Sequence, residues 1–180
     1  MARSASPVSA PEGRPARGSH GDPRMEDLRV PKRRVAAEAL LPGGDARRIT
    51  LFLADTASKP SGPERASDLL NGGDDFVPAF DEESKAMTFL NRAELAAVRL
   101  AEREAEEDGS DLTLPTEHEV EVTLRGGGVL RGLVSYLRAP DQSRLVDFLN
   151  EPEPFFPLIE EGAFALVNKR HVVRVVLVKT

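Results

Sequence analysis

The sequence predicts a mainly β protein that contains two small five-stranded barrels in tandem. Apolar and polar residues alternate in many segments with the period of two that is typical of half-buried strands. Paired glycines separate such segments where hairpin turns are expected, and one series of segments occurs twice in the same order. The predicted organisation is a disordered tail over residues 1–31, a first barrel over 32–100, an acidic helical linker over 101–117 and a second barrel over 118–180.

The predicted tail is rich in Pro, Gly, Ser, Ala and Arg. It has too few bulky apolar side chains to offset the entropy that ordering would cost. Up to Arg34 it has eight basic and four acidic residues, so it is either a solvated tail or a basic arm that contacts an acidic partner. A further alternative is that translation begins at Met25 and that residues 1–24 are not part of the natural product.

The first predicted barrel begins with a strand, a tight turn and a second strand. The segments, in chain order, are VAAEALL, PGGD, ARRITLFLA, RASDLLN, FVPAF, AMTFLN and ELAAVRL. Helix propensity favours a helix in the last of these, because Ala is a weak strand former. Its counterpart in the second barrel is rich in Val, which favours a strand. We therefore predict a strand from about Leu95 to Leu100, followed by a helix in the linker, where residues 101–117 have seven acids and one base.

The second predicted barrel has the same series with small changes in length. Its segments are HEVEVTL, GGG, VLRGLVSYL, RLVDFLN, FFPLI, AFALVN and HVVRVVLV. RASDLLN and RLVDFLN lie 79 residues apart, as do FVPAF and FFPLI, whereas the closing segments lie 77 apart. We interpret the chain as a tandem duplication of a unit of about 60 residues. Because a barrel of that size is only marginally stable alone, the two copies are expected to pack into one rigid body.

Two stretches of the second copy carry a resemblance to a known family. VEVTLRGGGVLRGLVSYL resembles the first Sm motif, which has a hydrophobic strand, a glycine turn and a second strand with a glycine. LVNKRHVVRVVLV is similar in outline to the second Sm motif. The phrases RLVDFLN, FFPL and VNK are also similar to an uncharacterised family of small bacterial proteins. The resemblance implies SH3/Sm-like barrels and implies no activity.

The two glycines at 43–44 and the three at 126–128 are predicted to form hairpin turns. A phosphate-binding loop would need a helix after the glycines, so that the helix N-terminus faces the anion. A strand follows each time, and turns that need positive φ account for the glycines.

The repeated RxxDxLN phrase contains most of the candidate binding residues. On a helical turn, residues three apart are neighbours and can pair. The Asn can end the turn in a left-handed conformation, and the second Leu is expected to face the core. This structural role accounts for the phrase; the alternative is a polar site for a partner, formed twice. The residues are Arg65, Asp68 and Asn71 in the first copy, and Arg144, Asp147 and Asn150 in the second.

A second candidate site is the turn between the last two strands of each copy. It contains Asn91 in the first copy and Asn168 with Lys169 in the second. Asn is common in tight turns; the alternative, implied by the Sm resemblance, is contact with RNA bases. The Arg-Gly pair of the Sm pattern is absent here. Residues 118–180 have eight acids and eight bases, so no basic stripe supports RNA binding.

Composition argues against catalysis. The chain has no cysteine, so disulfides, thiolate chemistry and Cys-based zinc sites are excluded. The three histidines have no metal-ligand spacing, adjacent carboxylates on a strand point to opposite faces, and no G-x-S-x-G motif occurs. We expect no enzyme, no cofactor and no metal site. No apolar run matches a membrane span or a signal peptide, so a cytoplasmic protein is expected.

These observations predict a non-enzymatic adaptor or regulatory module whose partner is another protein. A net charge of −6 disfavours binding to nucleic acid by charge alone. One alternative is an Sm-like RNA-binding protein. The other is a self-assembling structural protein, in which edge strands of the barrels pair between copies to form a homo-oligomer.

Overall fold

The computed structural model describes residues 32–55, 62–101, 115–137 and 144–178. The predicted tail (1–31) and most of the predicted linker (102–114 of 101–117) lie outside the described residues, as does the predicted linker helix.

The described residues contain ten strands, two five-residue helices and two 3₁₀ turns. In chain order the elements are β1 (Lys32–Leu40), β2 (Ala46–Ala54), α1 (Ala66–Leu70), β3 (Phe76–Asp81), β4 (Ala86–Asn91), a 3₁₀ turn (Arg92–Glu94), β5 (Ala97–Leu100), β6 (Thr116–Leu124), β7 (Val129–Tyr136), α2 (Leu145–Leu149), β8 (Phe155–Glu160), β9 (Ala163–Asn168), a second 3₁₀ turn (Lys169–His171) and β10 (Val172–Leu177).

The strands form a single antiparallel sheet with the order β10-β6-β7-β8-β9-β5-β1-β2-β3-β4. The sheet does not close, because β4 and β10 lie at its two ends. The predicted mainly β class is confirmed. The finer description as two separate barrels stays a prediction, since the structure shows one continuous ten-stranded sheet.

The two halves of the sheet have the same strand order. In the first half the last strand pairs with the first, which gives β5-β1-β2-β3-β4. In the second half the order is β10-β6-β7-β8-β9, with each strand in the corresponding place. The halves are joined where β5 pairs with β9, from Ala97 opposite Val167 to Leu100 opposite Phe164. We call this β5–β9 contact the junction.

Two hydrophobic cores lie along the sheet, and each contains residues of both halves. The first core is built mainly from residues of β1 to β5, but Phe155, Phe164 and Leu166 of the second half are also part of it. The second core is built mainly from β6 to β10, and Ala96 and Ala97 of the first half belong to it. The strands next to the junction therefore contribute to both cores.

The segment with conflicting signals, residues 92–100, is a 3₁₀ turn followed by a strand. The prediction of a strand, rather than a helix, is confirmed. Leu95 to Val98 and Leu100 are buried, and β5 is hydrogen-bonded to β1 on one side and β9 on the other. Pairing on both sides, together with burial, outweighs the helix propensity of Ala96 and Ala97.

The glycine hairpins are also confirmed. Gly43 and Gly44 have φ angles of 107° and 96°, and Gly126 and Gly127 have φ angles of 98° and 92°. Glycine adopts this region without the steric penalty that a Cβ brings. The turns connect β1 to β2 and β6 to β7.

Gly132, in β7, is required for a different reason, which is the close approach of β8. A Cβ added there would lie 2.8 Å from the carbonyl carbon of Ile159. We expect Gly132→Ala to push β7 and β8 apart and to lower the free energy of unfolding by about 1–3 kcal/mol, as overpacking typically does. Urea unfolding would measure the loss. Gly128→Ala is the control, since its Cβ would meet only the Leu124 side chain at 3.8 Å; an equal loss in both variants would contradict this explanation.

Candidate functional site

A cavity of about 160 Å³ lies at the junction and is lined by residues of both halves. Arg65 and Asn71 line it from the first half, and Phe155, Phe164 and Lys169 from the second. The structure thus brings together three of the residues that the sequence singled out: Arg65, Asn71 and Lys169.

Asn71 binds the backbone of the second half through both atoms of its amide. Its Nδ2 donates to the carbonyl of Phe155 at 3.2 Å, and its Oδ1 accepts from the N–H of Phe155 at 2.8 Å. It ends α1, as predicted, but its φ is −92°, so the left-handed conformation that the sequence suggested is not adopted. Asn150 ends α2 in the same way with φ −94°. These two hydrogen bonds connect the end of α1 to the start of β8.

Asn168 makes a second set of contacts across the junction. It is 3% exposed, and its Nδ2 donates to the carbonyls of Arg92 at 3.3 Å and Leu95 at 2.9 Å. Its Oδ1 accepts from the N–H of Arg170 at 3.0 Å. Nearby, Nε2 of His171 donates to the carbonyl of Ala93 at 2.8 Å. Because Asn168 is buried and its amide is bonded inside the protein, its role here is structural.

Lys169 lies beside the same cavity, and its ammonium group is held by the segment after α2. Its Nζ donates to the carbonyl of Glu151 at 2.8 Å. Partial burial lowers the pKa of Lys169, while the carboxylates of Glu151 and Glu153 act in the opposite direction. The contact ties the 3₁₀ turn of the second half to its helix.

The repeated Arg and Asp residues act mainly at the starts of the two helices. The carboxylate of Asp68 accepts from the backbone N–H of Arg65 at 3.1 Å, so the acid caps the first turn of α1. In α2 the N–H of Asp147 donates to the carbonyl of Arg144 at 3.0 Å. The prediction that the second Leu of each phrase faces the core holds for Leu70, which is fully buried. In α2 the deeply buried side chain is Phe148 instead, with Leu149 packed at the edge of the second core.

An apolar surface covers the outer face of β3 and β4 at one end of the sheet. Phe76, Met87 and Phe89 are 57%, 54% and 68% exposed. Pairing of Pro78 with Phe89 and of Phe80 with Met87 places these side chains on one face. We call Phe76, Met87 and Phe89 the β4 patch.

The residues at corresponding places in the second half are buried. Phe155, Phe164 and Leu166 are 2%, 7% and 1% exposed, because they pack into the first core. The β4 patch is the corresponding surface of the first half, and none of the described residues buries it.

The other end of the sheet, β10, exposes a second set of apolar side chains. Val173 and Leu177 are 66% and 53% exposed, whereas Ala96 and Leu100, which lie at the corresponding places in the first half, are each 2% exposed. Helix α2 lies in the same half and exposes Val146. We call Val173 and Leu177 the β10 patch.

A wider groove of about 640 Å³ lies near Arg99, and four of its five charged side chains form pairs with one another. Arg99 forms two bonds to Glu160, at 2.7 and 3.0 Å, and a longer one to Glu38 at 3.4 Å. The hydrogen bonds to Glu160 raise the pKa of Arg99. Arg131 makes a comparable pair with Glu121 at 2.7 Å. These ion pairs give the charged side chains along the groove a structural role.

The sequence-predicted residues thus lie in three places. Arg65, Asp68 and Asn71 lie on or beside α1 near the junction, where Asn168 and Lys169 also lie. Asn91 is the last residue of β4, at one end of the sheet, and the remaining three, Arg144, Asp147 and Asn150, are on or beside α2 in the other half. Sequence analysis did not single out the β4 patch, because apolar strand residues were expected to form the core. The signal was present in FVPAF, which is apolar on both faces of the strand.

Within the described ranges, no three or more His, Cys, Asp or Glu side chains are grouped so as to hold a metal ion. In the same part of the chain no helix has the length and apolar character needed to cross a membrane. No protein-family model matches the chain, and neither does any curated protein or solved structure.

Proposed function

We propose that this protein is a non-enzymatic protein-binding adaptor, built from two SH3/Sm-like repeats of one duplicated unit. The observation that carries the proposal is the β4 patch, in which three large apolar side chains on one face are each more than half exposed. Contiguous exposed apolar surface of this kind is typical of interaction sites. The equal strand order of the two halves supports the duplication.

The edge of β4 adds backbone hydrogen-bonding capacity to the apolar patch. β4 pairs with β3 on one side and is the last strand of the sheet on the other. An edge strand presents N–H and C=O groups that an incoming strand can pair with. A partner that adds a strand beside β4 would gain these bonds and would cover Met87 and Phe89 at the same time.

A photo-crosslinking experiment in cells tests the proposal. A photoreactive phenylalanine analogue replaces Phe89 in the full chain, and the matched control carries it at Ser84, an exposed residue in the turn of the same hairpin. We expect protein adducts from position 89 in clear excess over position 84. Equal yields at the two positions, or adducts to RNA alone, would rule the proposal out.

A further inference from the structure

We infer that the partner at the β4 patch is a second copy of this chain, and that copies associate head to tail with β4 of one chain paired to β10 of the next. The inference rests on the proposed role of the β4 patch as a protein-binding surface.

The junction inside each chain supplies the template. There, the fourth strand of the second half, β9, pairs with the fifth strand of the first half, β5. Each half has a fourth strand (β4 or β9) and a fifth strand (β5 or β10). The junction pairs one fourth strand, β9, with one fifth strand, β5. Among the described strands, β4 and β10 have no second neighbour, and they are the same two kinds of strand.

Corresponding apolar side chains are buried at the junction and exposed at the two ends of the sheet. At the junction, Phe164 and Leu166 cross from β9 into the first core. Their counterparts Met87 and Phe89 point the same way from β4 and are exposed. In a head-to-tail contact these two side chains would enter the second core of the neighbouring chain, and the β10 patch would be covered by β4.

The register of the contact follows from the junction by the offset of 77 residues that relates the closing strands of the two halves. At the junction the opposite pairs run from Ala97 with Val167 to Leu100 with Phe164. The expected pairs between chains are Leu90 with Arg174, Phe89 with Val175, Thr88 with Val176 and Met87 with Leu177.

The polar contacts of the junction can also form between chains. Asn91 occupies the place of Asn168, so its amide would reach the carbonyls of Lys169 and Val172 in the next copy. Asn150 occupies the place of Asn71, so it would bind the backbone of Phe76. In the structure Oδ1 of Asn91 accepts from the N–H of Ala93 at 3.0 Å, which is the geometry that Asn168 has with Arg170. In this arrangement Asn91 and Asn150 would make between chains the contacts that Asn168 and Asn71 make at the junction.

Two differences in side-chain charge separate the two contacts. The ion pair of Arg99 with Glu160 crosses the junction, but Val176 stands at the place of Arg99. Arg174 stands at the place of Ala97, which is fully buried at the junction. The contact between chains therefore has no counterpart of the Arg99–Glu160 pair, and screening of such a pair by added salt is not expected to weaken it. Because the contact is heterologous, repetition gives a closed ring or an open filament, according to the rotation between neighbours.

The absence of cysteine from the chain permits a clean crosslinking test. The N–H of Asn168 donates to the carbonyl of Ala96, so in an antiparallel ladder the pair of Arg99 and Ala165 is of the non-hydrogen-bonded kind, whose Cα atoms are about 4.5 Å apart. The corresponding pair between chains is Thr88 and Val176, a spacing that suits a disulfide. We expect the full-length variant Thr88→Cys/Val176→Cys to form, on oxidation, a ladder or a closed covalent oligomer on a non-reducing gel.

Two controls and one companion measurement make the test decisive. Thr88→Cys alone can give nothing larger than a dimer, and Thr88→Cys/Arg174→Cys is displaced by two residues and should crosslink at least tenfold less. Light scattering on the unmodified chain should give a molar mass that is two or more times 19.6 kDa. Phe89→Lys should reduce this mass to that of one chain. Val129→Lys, at an exposed apolar residue of β7, should leave the mass unchanged.

A mass of one chain at high concentration, together with no oligomer from the paired cysteines, would overturn the inference. If adducts to a different protein still formed at position 89 in cells, the proposed binding function would stand and only the identity of the partner would be wrong. If no protein adduct formed there either, both proposals would fail.

Discussion

Replacing Phe155 with alanine is expected to lower the free energy of unfolding by about 3–5 kcal/mol, the range usual for removing a buried aromatic ring. Phe155 is 2% exposed and begins β8, yet its ring packs in the first core, which is built mainly from the other half. The truncation would leave a cavity at the place where the halves meet. Urea unfolding followed by circular dichroism measures the loss, and the m-value shows whether the two halves still unfold together.

The matched control is Phe76→Ala, at the corresponding place in the first half. Phe76 is 57% exposed, so its removal is expected to change the free energy of unfolding by no more than about 0.5 kcal/mol in dilute solution. At concentrations where chains associate, the same change should weaken the association, because Phe76 lies in the β4 patch. If both variants lost a similar free energy of unfolding, the result would contradict the burial of Phe155 and the exposure of Phe76.

The strands could be predicted because their information is local. Alternation in HEVEVTL, paired glycines and β-branched residues each indicate a strand or a turn without reference to the rest of the chain. The one conflict, around Leu95 to Leu100, was resolved by comparison with the Val-rich segment HVVRVVLV in the second half. Propensity favoured a helix there, and only the neighbours β1 and β9 explain why the segment is a strand.

The junction could not be predicted, because both halves carry the same apolar pattern. FVPAF and FFPLI are each apolar on both faces, so either β3 or β8 is suited to lie between two cores. Which of them does so depends on the pairing of β5 with β9, a contact between residues about 67 apart in the chain, and no local pattern specifies it. For the same reason the sequence does not show that the β4 patch is exposed. It also does not show that Asn71 and Asn168, predicted as candidates for partner contact, bind the other half of the same chain.

This ambiguity has a structural consequence. A chain whose two halves have the same strand order, and which joins them through two unlike edges, leaves the complementary edges at the two ends of the sheet. Natural sheets usually protect such edges with charges, proline or short strands. Here β4 presents Met87 and Phe89 at its edge, with Thr88 between them, Ala86 before them and Leu90 after them, and none of these residues is charged. The composition of this edge favours a role in binding.

Asn168→Asp is expected to be nearly as damaging as the loss of Phe155, although it changes only an amide to a carboxyl group of the same shape. The two carbonyls that accept from Nδ2 of Asn168, those of Arg92 and Leu95, would face a buried carboxylate. An uncompensated buried charge typically costs about 3–5 kcal/mol. The cost applies to the charged form, so the folded protein raises the pKa of this Asp above its unfolded value of about 3.9.

The sign of the pH dependence follows from that shift. Below the unfolded pKa the carboxyl is protonated in both states, and the O–H can donate to one of the carbonyls, so the variant is least impaired there. As the pH rises through the raised folded pKa, the stability relative to the unchanged protein falls to its lowest value. Urea unfolding of both proteins at about pH 4 and pH 7 measures the difference; a deficit that does not grow with pH would mean that the side chain escapes to solvent.

Asn91→Asp is the matched control and separates folding from association. Asn91 is only partly buried, and a carboxylate there can still accept from the N–H of Ala93 and cap the 3₁₀ turn. Its effect on the free energy of unfolding is therefore expected to stay within about 0.5 kcal/mol. If chains pair through β4 and β10, the same carboxylate would face the carbonyls of Lys169 and Val172 in the neighbour. Asn91→Asp should then dissociate the assembly at neutral pH without a change in the free energy of unfolding, whereas Asn168→Asp should lower the free energy of unfolding of the chain itself.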